Sequence, residues 1–150
     1  MSRVAATLYL EMKNCVKQRN IQTFNEAITI VKGMLKQGKL PCTSAQFMAV
    51  IGEHRDSDGR SLLHEASLAA MEGECRFFLT LIKLGFPLYN EDGNMDTPAF
   101  LLCNMRNEAH FKQCLVALMA ASFDINQGND DDETFLQKFC CSEKVSPARL

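Results

Sequence analysis

The sequence predicts an all-α fold, and three observations point to it. Apolar residues recur at intervals of three and four along most of the chain, which is the spacing of one face of an α-helix. Alternation with a period of two, which half-buried strands require, does not persist anywhere. A pattern of turn, helix and helix occurs more than once after residue 56. With 150 residues, 47% of them hydrophobic, the chain can form one domain with a sizeable core.

The segment 1–55 predicts three helices. The first covers Val4 to Val16 and turns Leu8, Met12 and Cys15 inward. The second lies in "TFNEAITIVKGMLKQG", and its apolar stripe consists of Phe24, Ala27, Ile28, Val31, Met34 and Leu35.

The ends of these helices also have sequence signals. Thr23 with Glu26 predicts a capping box at the start of the second helix, and Gly38 predicts its end. Pro41 ends this hairpin. A third short helix, "SAQFMAVIGE", follows and stops near Gly52.

Beyond residue 55, turns separate pairs of helices. "HRDSDGRS" is a turn, a short helix starts from Ser61, and "ECRFFLTLIKLG" is a second helix with a buried side of Cys75, Phe78, Leu81 and Ile82. After the turn "PLYNEDGNMD", Thr97 is the N-cap of a helix with Pro98 at its first position. "EAHFKQCLVALMAAS" is its partner helix, and the turn "NQGNDDDE" leads to a last helix, "TFLQKFCC".

These units are in register with one another. Ser61 and Thr97 are 36 residues apart, and Thr97 and Thr134 are 37 apart. The second helices agree with this register, since Leu81 aligns with Leu118 and Phe86 with Phe123.

The repeated unit resembles an ankyrin repeat, which has a period of roughly 33 residues and the motif T-P-L-H-x-A. "DSDGRSLLHEAS" matches its opening, with Ser61 for Thr and Leu62 for Pro. "NEDGNMDTPAF" keeps the glycine and the Thr-Pro pair but has two extra residues before Thr97, with Phe100 in place of His. "INQGNDDDETFLQ" keeps Thr134. The resemblance covers roughly residues 56–141.

The resemblance implies an ankyrin-repeat solenoid of stacked helical hairpins, formed by residues 1–150 as a single domain. Residues 1–55 are then a helical N-terminal cap or a diverged repeat, because solenoid units cannot bury their faces alone. The third unit is a C-terminal half-repeat, and residues 142–150 are a tail. The excess over the ankyrin period is attributed to insertions around 68–73 and 94–96.

His64 decides between a catalytic and a structural interpretation. "HEASL" is not an H-E-x-x-H metal motif, because Leu68 stands where a second histidine is required. In ankyrin repeats, a histidine here bonds the backbone of the neighbouring turns. The resemblance assigns structural roles to Gly59, His64, Gly93, Thr97, Pro98 and Thr134.

Composition limits the compartment and the chemistry. Seven cysteines without C-x-x-C spacing indicate free thiols in the cytoplasm or nucleus. No apolar run predicts a membrane span, and a net charge of −2 predicts no nucleic-acid partner. No cofactor and no metal site are expected. "DSDGRS" approaches a phosphorylation-dependent degradation motif, but Asp58 interrupts it. An enzyme that uses cysteine and histidine is a minor alternative.

The expected function is binding to another protein. The candidate surface positions are Ser57, Asp58, Arg60, Leu68, Ala69, Asn94, Met95, Asp96, Asn104, Met105, Asp130, Asp131, Asp132 and Glu133. Because this row is acidic, a basic patch on the partner is expected. The interpretation is a non-enzymatic regulator of a signalling partner such as a protein kinase, present as a monomer or as a subunit of a hetero-complex. The alternative is an inhibitor resembling the IκB class, which masks an NF-κB/Rel-type transcription factor.

Overall fold

The protein is described by a computed structural model over residues 2–38, 43–128, 132–135 and 137. This part of the chain contains seven helices and no strand, which confirms the all-α prediction. The helices are α1 (Ser2–Lys17), α2 (Ile21–Lys36), α3 (Ser44–Glu53), α4 (Leu62–Met71), α5 (Arg76–Lys83), α6 (Pro98–Leu102) and α7 (Glu108–Ala120). An isolated antiparallel bridge joins Gly128 to Thr134.

The start of α2 differs from the prediction. Asn20 is the N-cap, and its side chain accepts a hydrogen bond from the backbone N–H of Thr23 at 3.1 Å. The predicted capping box of Thr23 and Glu26 is therefore wrong. Starting at Asn20 adds most of a turn to the helix and packs Ile21 against the core. The predicted apolar stripe is present, because Phe24, Ala27, Ile28 and Val31 are buried.

Four of the other described helices, α3, α4, α6 and α7, begin at residues whose side chains cap them, close to where the sequence indicates. Thr43 and Gln46 form a reciprocal capping box before α3, and Ser61 and Thr97 cap α4 and α6. α5 begins at Arg76, one residue after Cys75. Pro41 and most of the predicted last helix lie outside the described residues.

α4 is at the centre of the packing. It contacts α1, α3, α5 and α6, while α5 also packs on α7. Phe24 of α2 meets Phe77 of α5 edge to face, with ring centroids 5.0 Å apart. All of α4 from Leu62 to Ala70 except Leu68 is buried, so the surface position expected for Ala69 is wrong.

Substitution of two helical glycines, Gly33 and Gly52, tests the packing of α3 against Pro87. A Cβ on Gly33 of α2 meets nothing within 4 Å, whereas one on Gly52 of α3 would lie 2.4 Å from Cδ of Pro87. We expect Gly33→Ala to raise the free energy of unfolding by about 0.5–1 kcal/mol, through helix propensity alone. Gly52→Ala should lower it by about 1–3 kcal/mol, because a proline ring cannot yield. Urea unfolding of the two variants would measure the difference, and equal effects would contradict the docking of α3 against Pro87.

Candidate functional site

The first turn of the site, residues 56–60, is organised by one carboxylate. Oδ1 of Asp56 accepts hydrogen bonds from the backbone N–H groups of Asp58 and Arg60, both at 2.9 Å. The backbone of Asp56 donates to Arg60 O at 3.0 Å and accepts from Gly59 N at 3.0 Å. Gly59 has φ +76°, a conformation that favours glycine. The tip of the turn therefore has a fixed backbone.

The second turn, residues 92–96, repeats this arrangement residue for residue. Oδ1 of Asp92 accepts from Asn94 N at 2.8 Å and from Asp96 N at 3.0 Å. The backbone of Asp92 donates to Asp96 O and accepts from Met95 N, each at 3.0 Å. Asp92 is thus the counterpart of Asp56 one unit later, and is itself buried.

This register corrects the predicted insertion at residues 94–96. Met95, with φ +61°, occupies the position of Gly59, and Gly93 is the counterpart of Ser57. The structural role of Gly93 is therefore different from that of Gly59. Its N–H donates to Asp58 O at 2.9 Å, and a Cβ on it would lie 3.0 Å from the same oxygen. Gly93 thus allows the two turns to approach closely.

The two turns enclose a shallow surface depression of about 510 Å³. It is lined by Ser57, Asp58, Gly59, Arg60, Asp92, Gly93 and Asn94. Four of the predicted surface residues, Ser57, Asp58, Arg60 and Asn94, therefore lie together here. We call this depression the turn groove.

His64 fixes the geometry beneath the turn groove. Its Nδ1 accepts a hydrogen bond from Ser61 N at 3.1 Å, and its Nε2 lies 2.7 Å from Asp96 O. Because a carbonyl only accepts, the proton is on Nε2 and the ring is neutral. The side chain is fully buried. Burial lowers the pKa of His64, although the Asp96 hydrogen bond and the charge of Asp92 act in the opposite direction.

The N-terminal helix contacts the first turn directly, which the sequence did not indicate. Nζ of Lys13 lies 3.1 Å from Oδ2 of Asp56, and both side chains are only 14% exposed. Tyr9 donates from its hydroxyl to Arg60 O at 3.2 Å. Burial, with the charges of Asp56 and Glu65, raises the pKa of Tyr9 to about 12, so that the hydroxyl keeps its proton.

The carboxylate of Asp56 is held ionised by this environment. Burial acts to raise its pKa, but hydrogen bonds from the N–H groups of Arg60 and Asp58 and from Lys13 outweigh it. The net effect is a pKa below the usual range. The turn and α1 therefore support each other through one charged group.

Thr97 and Pro98 lie at the start of α6, and Thr134 bonds to a residue three positions later. Thr97 accepts from Phe100 N at 3.3 Å, and Pro98 is the first residue of α6. Thr134 and Gln137 exchange two hydrogen bonds, Thr134 N to Oε1 at 2.9 Å and Gln137 N to Oγ1 at 3.2 Å. Phe100 stands where the first unit has His64 and is buried.

The other predicted surface residues are placed as follows. Met95, Asn104 and Asp132 are exposed, and Leu68, Asp96 and Glu133 are half-buried. Asp130 and Asp131 lie outside the described residues. Met105 is only 1% exposed, so its expected surface position is wrong. α6 is short, and the turn that follows it, closed by Met105 N bonded to Leu102 O, directs the side chain into the core.

Comparison with known proteins assigns no relative. The chain matches no family model, and no curated protein matches it significantly. No described helix is long and apolar enough to cross a membrane. Within the same residues, no three His, Cys, Asp or Glu side chains are grouped so that they could hold a metal ion.

The neutral, buried ring of His64 makes stability depend on pH. The pKa of His64 in the folded chain lies below its value in the unfolded chain. The stability that His64 contributes to folding is therefore fully present above about pH 6.5 and is lost as the pH falls toward the folded-state pKa. His64→Ala should lower the free energy of unfolding by about 1–3 kcal/mol at pH 7.5. It should also lose less stability than the wild type between pH 7 and pH 5. Urea unfolding across this range measures both effects, and an unchanged pH slope would contradict the assigned role.

At equivalent positions with positive φ, the first turn has Gly59 and the second turn has Met95. Gly59→Ala should lower the free energy of unfolding by about 1–3 kcal/mol, because its Cβ would lie 2.9 Å from Gly93 N and the backbone φ is positive. Met95→Gly should stay within about 1 kcal/mol of the wild type, since the same conformation is already tolerated there. Thermal melting of both variants tests the equivalence of the two positions. A larger loss for Met95→Gly would contradict it.

Proposed function

We propose that the chain is a non-enzymatic protein-interaction module of the ankyrin-repeat type, which regulates a signalling partner such as a protein kinase. The observation that supports this most is the pair of equivalent turns. They share one hydrogen-bond pattern, and Gly93 N bonds directly to Asp58 O. Stacked units of this kind present their turn tips side by side as one binding surface.

The chemistry of the turn groove suits recognition of a polar or basic surface. Ser57, Asp58 and Asn94 are exposed, short and polar, and they stand on backbone that is already fixed. Short side chains on rigid turns lose little conformational entropy when a partner binds. Met95 beside them is 37% exposed and offers apolar contact.

Charge at the turns favours a basic partner. Asp58 and Asp132 are exposed at two different turns, and Glu133 is half-exposed. Complementary charge of this kind mainly raises the association rate and excludes partners of the same sign. The same acidic surface supports the second candidate, an IκB-like inhibitor that covers a basic region of a Rel-type transcription factor.

The proposal is tested by removing three turn charges. The turn variant carries Asp58→Asn, Asp132→Asn and Glu133→Gln. Its matched control carries Glu11→Gln, Glu26→Gln and Glu53→Gln, which removes three exposed acidic charges elsewhere. Binding of each immobilised chain to purified protein kinases and to a purified Rel-type DNA-binding domain is measured at two salt concentrations.

We expect the turn variant to lose at least about tenfold in affinity, or about 1.4 kcal/mol, while the control binds like the wild type. A kinase retained with altered activity supports the first candidate, and a retained Rel-type domain supports the second. Equal losses in both variants, or no binding by the wild type to either class, would contradict the assignment.

A further inference from the structure

An acidic side chain is buried on a side of α4 that reaches the surface. In a helix, residues three, four and seven positions apart lie on the same side, so Glu65, Leu68 and Glu72 form one line. Leu68 is half-buried and Glu72 is exposed, whereas Glu65 is only 8% exposed. We call this line of three residues the α4 strip. Glu65 therefore lies in the floor of a strip whose other members face solvent.

The carboxylate of Glu65 has no bonding partner in the part of the chain that the structure describes. No residue there donates a hydrogen bond to it or forms an ion pair with it. Polar groups that are enclosed in a folded protein are nearly always hydrogen-bonded. Among the described residues, the enclosed side-chain atom without a partner is Nδ1 of His110, so neither oxygen of Glu65 is fully enclosed. The stem of Glu65 is therefore buried while its carboxylate opens onto the α4 strip.

Two cations lie at the boundary between the N-terminal helix and α4, and each is paired with another acid. Near the start of α4, Nζ of Lys13 lies 3.1 Å from Oδ2 of Asp56. Just beyond its end, the guanidinium of Arg19 pairs with the carboxylate of Glu72. Between these positions, the buried side chains of α1 are apolar: Cys15 and Val16. Glu65 therefore carries a negative charge that no ion pair in the described chain offsets.

We propose that Glu65 and Leu68 form a binding site for one long cationic side chain, lysine or arginine, of the protein partner, an inference that rests on the proposed function. The carboxylate of Glu65 accepts charge-assisted hydrogen bonds from the cationic end. Leu68 contacts the alkyl stem, because lysine and arginine side chains lie along apolar surface while their charged ends stay polar. The two residues are one helical turn apart on α4, so they are neighbours on its surface. The site thus selects a side chain that is apolar along its length and positive at its tip.

Glu65 and the acids of the turns control different steps of binding. Asp58 and Asp132 are exposed, and charges of this kind chiefly raise the association rate. Glu65 is enclosed on most sides, so a cation that pairs with it loses water on binding. Removal of one member of such a pair chiefly raises the dissociation rate. Binding kinetics therefore distinguish the contribution of Glu65 from that of the turn charges.

Thermal melting tests whether Glu65 serves binding or the fold. Glu65→Gln keeps the size of the side chain and removes its charge. We expect the Tm of this variant to equal or exceed that of the wild type, because no bond within the described chain is lost. Asp56→Asn is the matched control at a carboxylate that bonds to Lys13 and to two backbone N–H groups, and it should lower the Tm. A fall for Glu65→Gln as large as that for Asp56→Asn would assign Glu65 to the fold and overturn the proposal.

Binding of a cationic side chain is measured with N-acetyl-lysine methylamide and N-acetyl-arginine methylamide, which require no identified partner. N-acetyl-norleucine methylamide is the control, because it has an alkyl stem without a charge. In NMR spectra of the full chain with isotope-labelled glutamate, we expect the Cδ signal of Glu65 to shift saturably with a cationic probe and not with the control. The signals of the exposed Glu11 and Glu53 report non-specific effects. A Glu65 signal that moves no more than these two would overturn the proposal.

A kinase or Rel-type domain that the wild type retains allows a second, kinetic test. Glu65→Gln should raise the dissociation rate of that partner by at least about tenfold, whereas the turn variant should chiefly lower the association rate. If Glu65→Gln changes neither rate, the inference fails while the proposed function stands. If the wild type retains no partner, the proposed function fails, and the small cationic probes alone decide whether Glu65 forms a site.

Discussion

The described part of the molecule depends on the hydrogen bonds made by one neutral ring. His64 accepts from the helix start at Ser61 and donates to Asp96, which closes the next turn. A helix N-terminus and a turn 32 residues away are thereby fixed relative to each other. Because the ring is fully buried, no water can replace either bond. The backbone that lines the turn groove above the ring is held rigid by the same hydrogen bonds.

Two aspartates likewise fix the backbone of the two surface turns through hydrogen bonds. Asp56 and Asp92 each use one carboxylate oxygen to hold two backbone N–H groups, so that the turn tips need no support from a partner. The side chains that remain for recognition are those that the turns do not use themselves. A fixed backbone with short polar side chains is the arrangement expected of a surface that binds without rearranging.

Local signals predict most of the helices, because a capping residue acts close to its own position in the chain. The starts of α4 and α6 at Ser61 and Thr97 are of this kind. The start of α2 is harder to predict because Asn20 competes with Thr23 as a cap, and only packing of the added turn decides between them. The equivalence of the two turns is hidden in the sequence, since a glycine occurs at a different position in each. The burial of Met105 and the contact of Lys13 with the first turn depend on distant parts of the chain and have no local signal.

The sequence divides into a basic first part and an acidic remainder, and part of that asymmetry is satisfied by ion pairs between the two. Lys13 pairs with Asp56, Arg19 with Glu72, and Arg55 donates to Glu91 O. Each contact joins the segment 1–55 to the part that follows. Because salt screens such pairs, the attachment of the N-terminal helices to the rest of the described chain is sensitive to ionic strength.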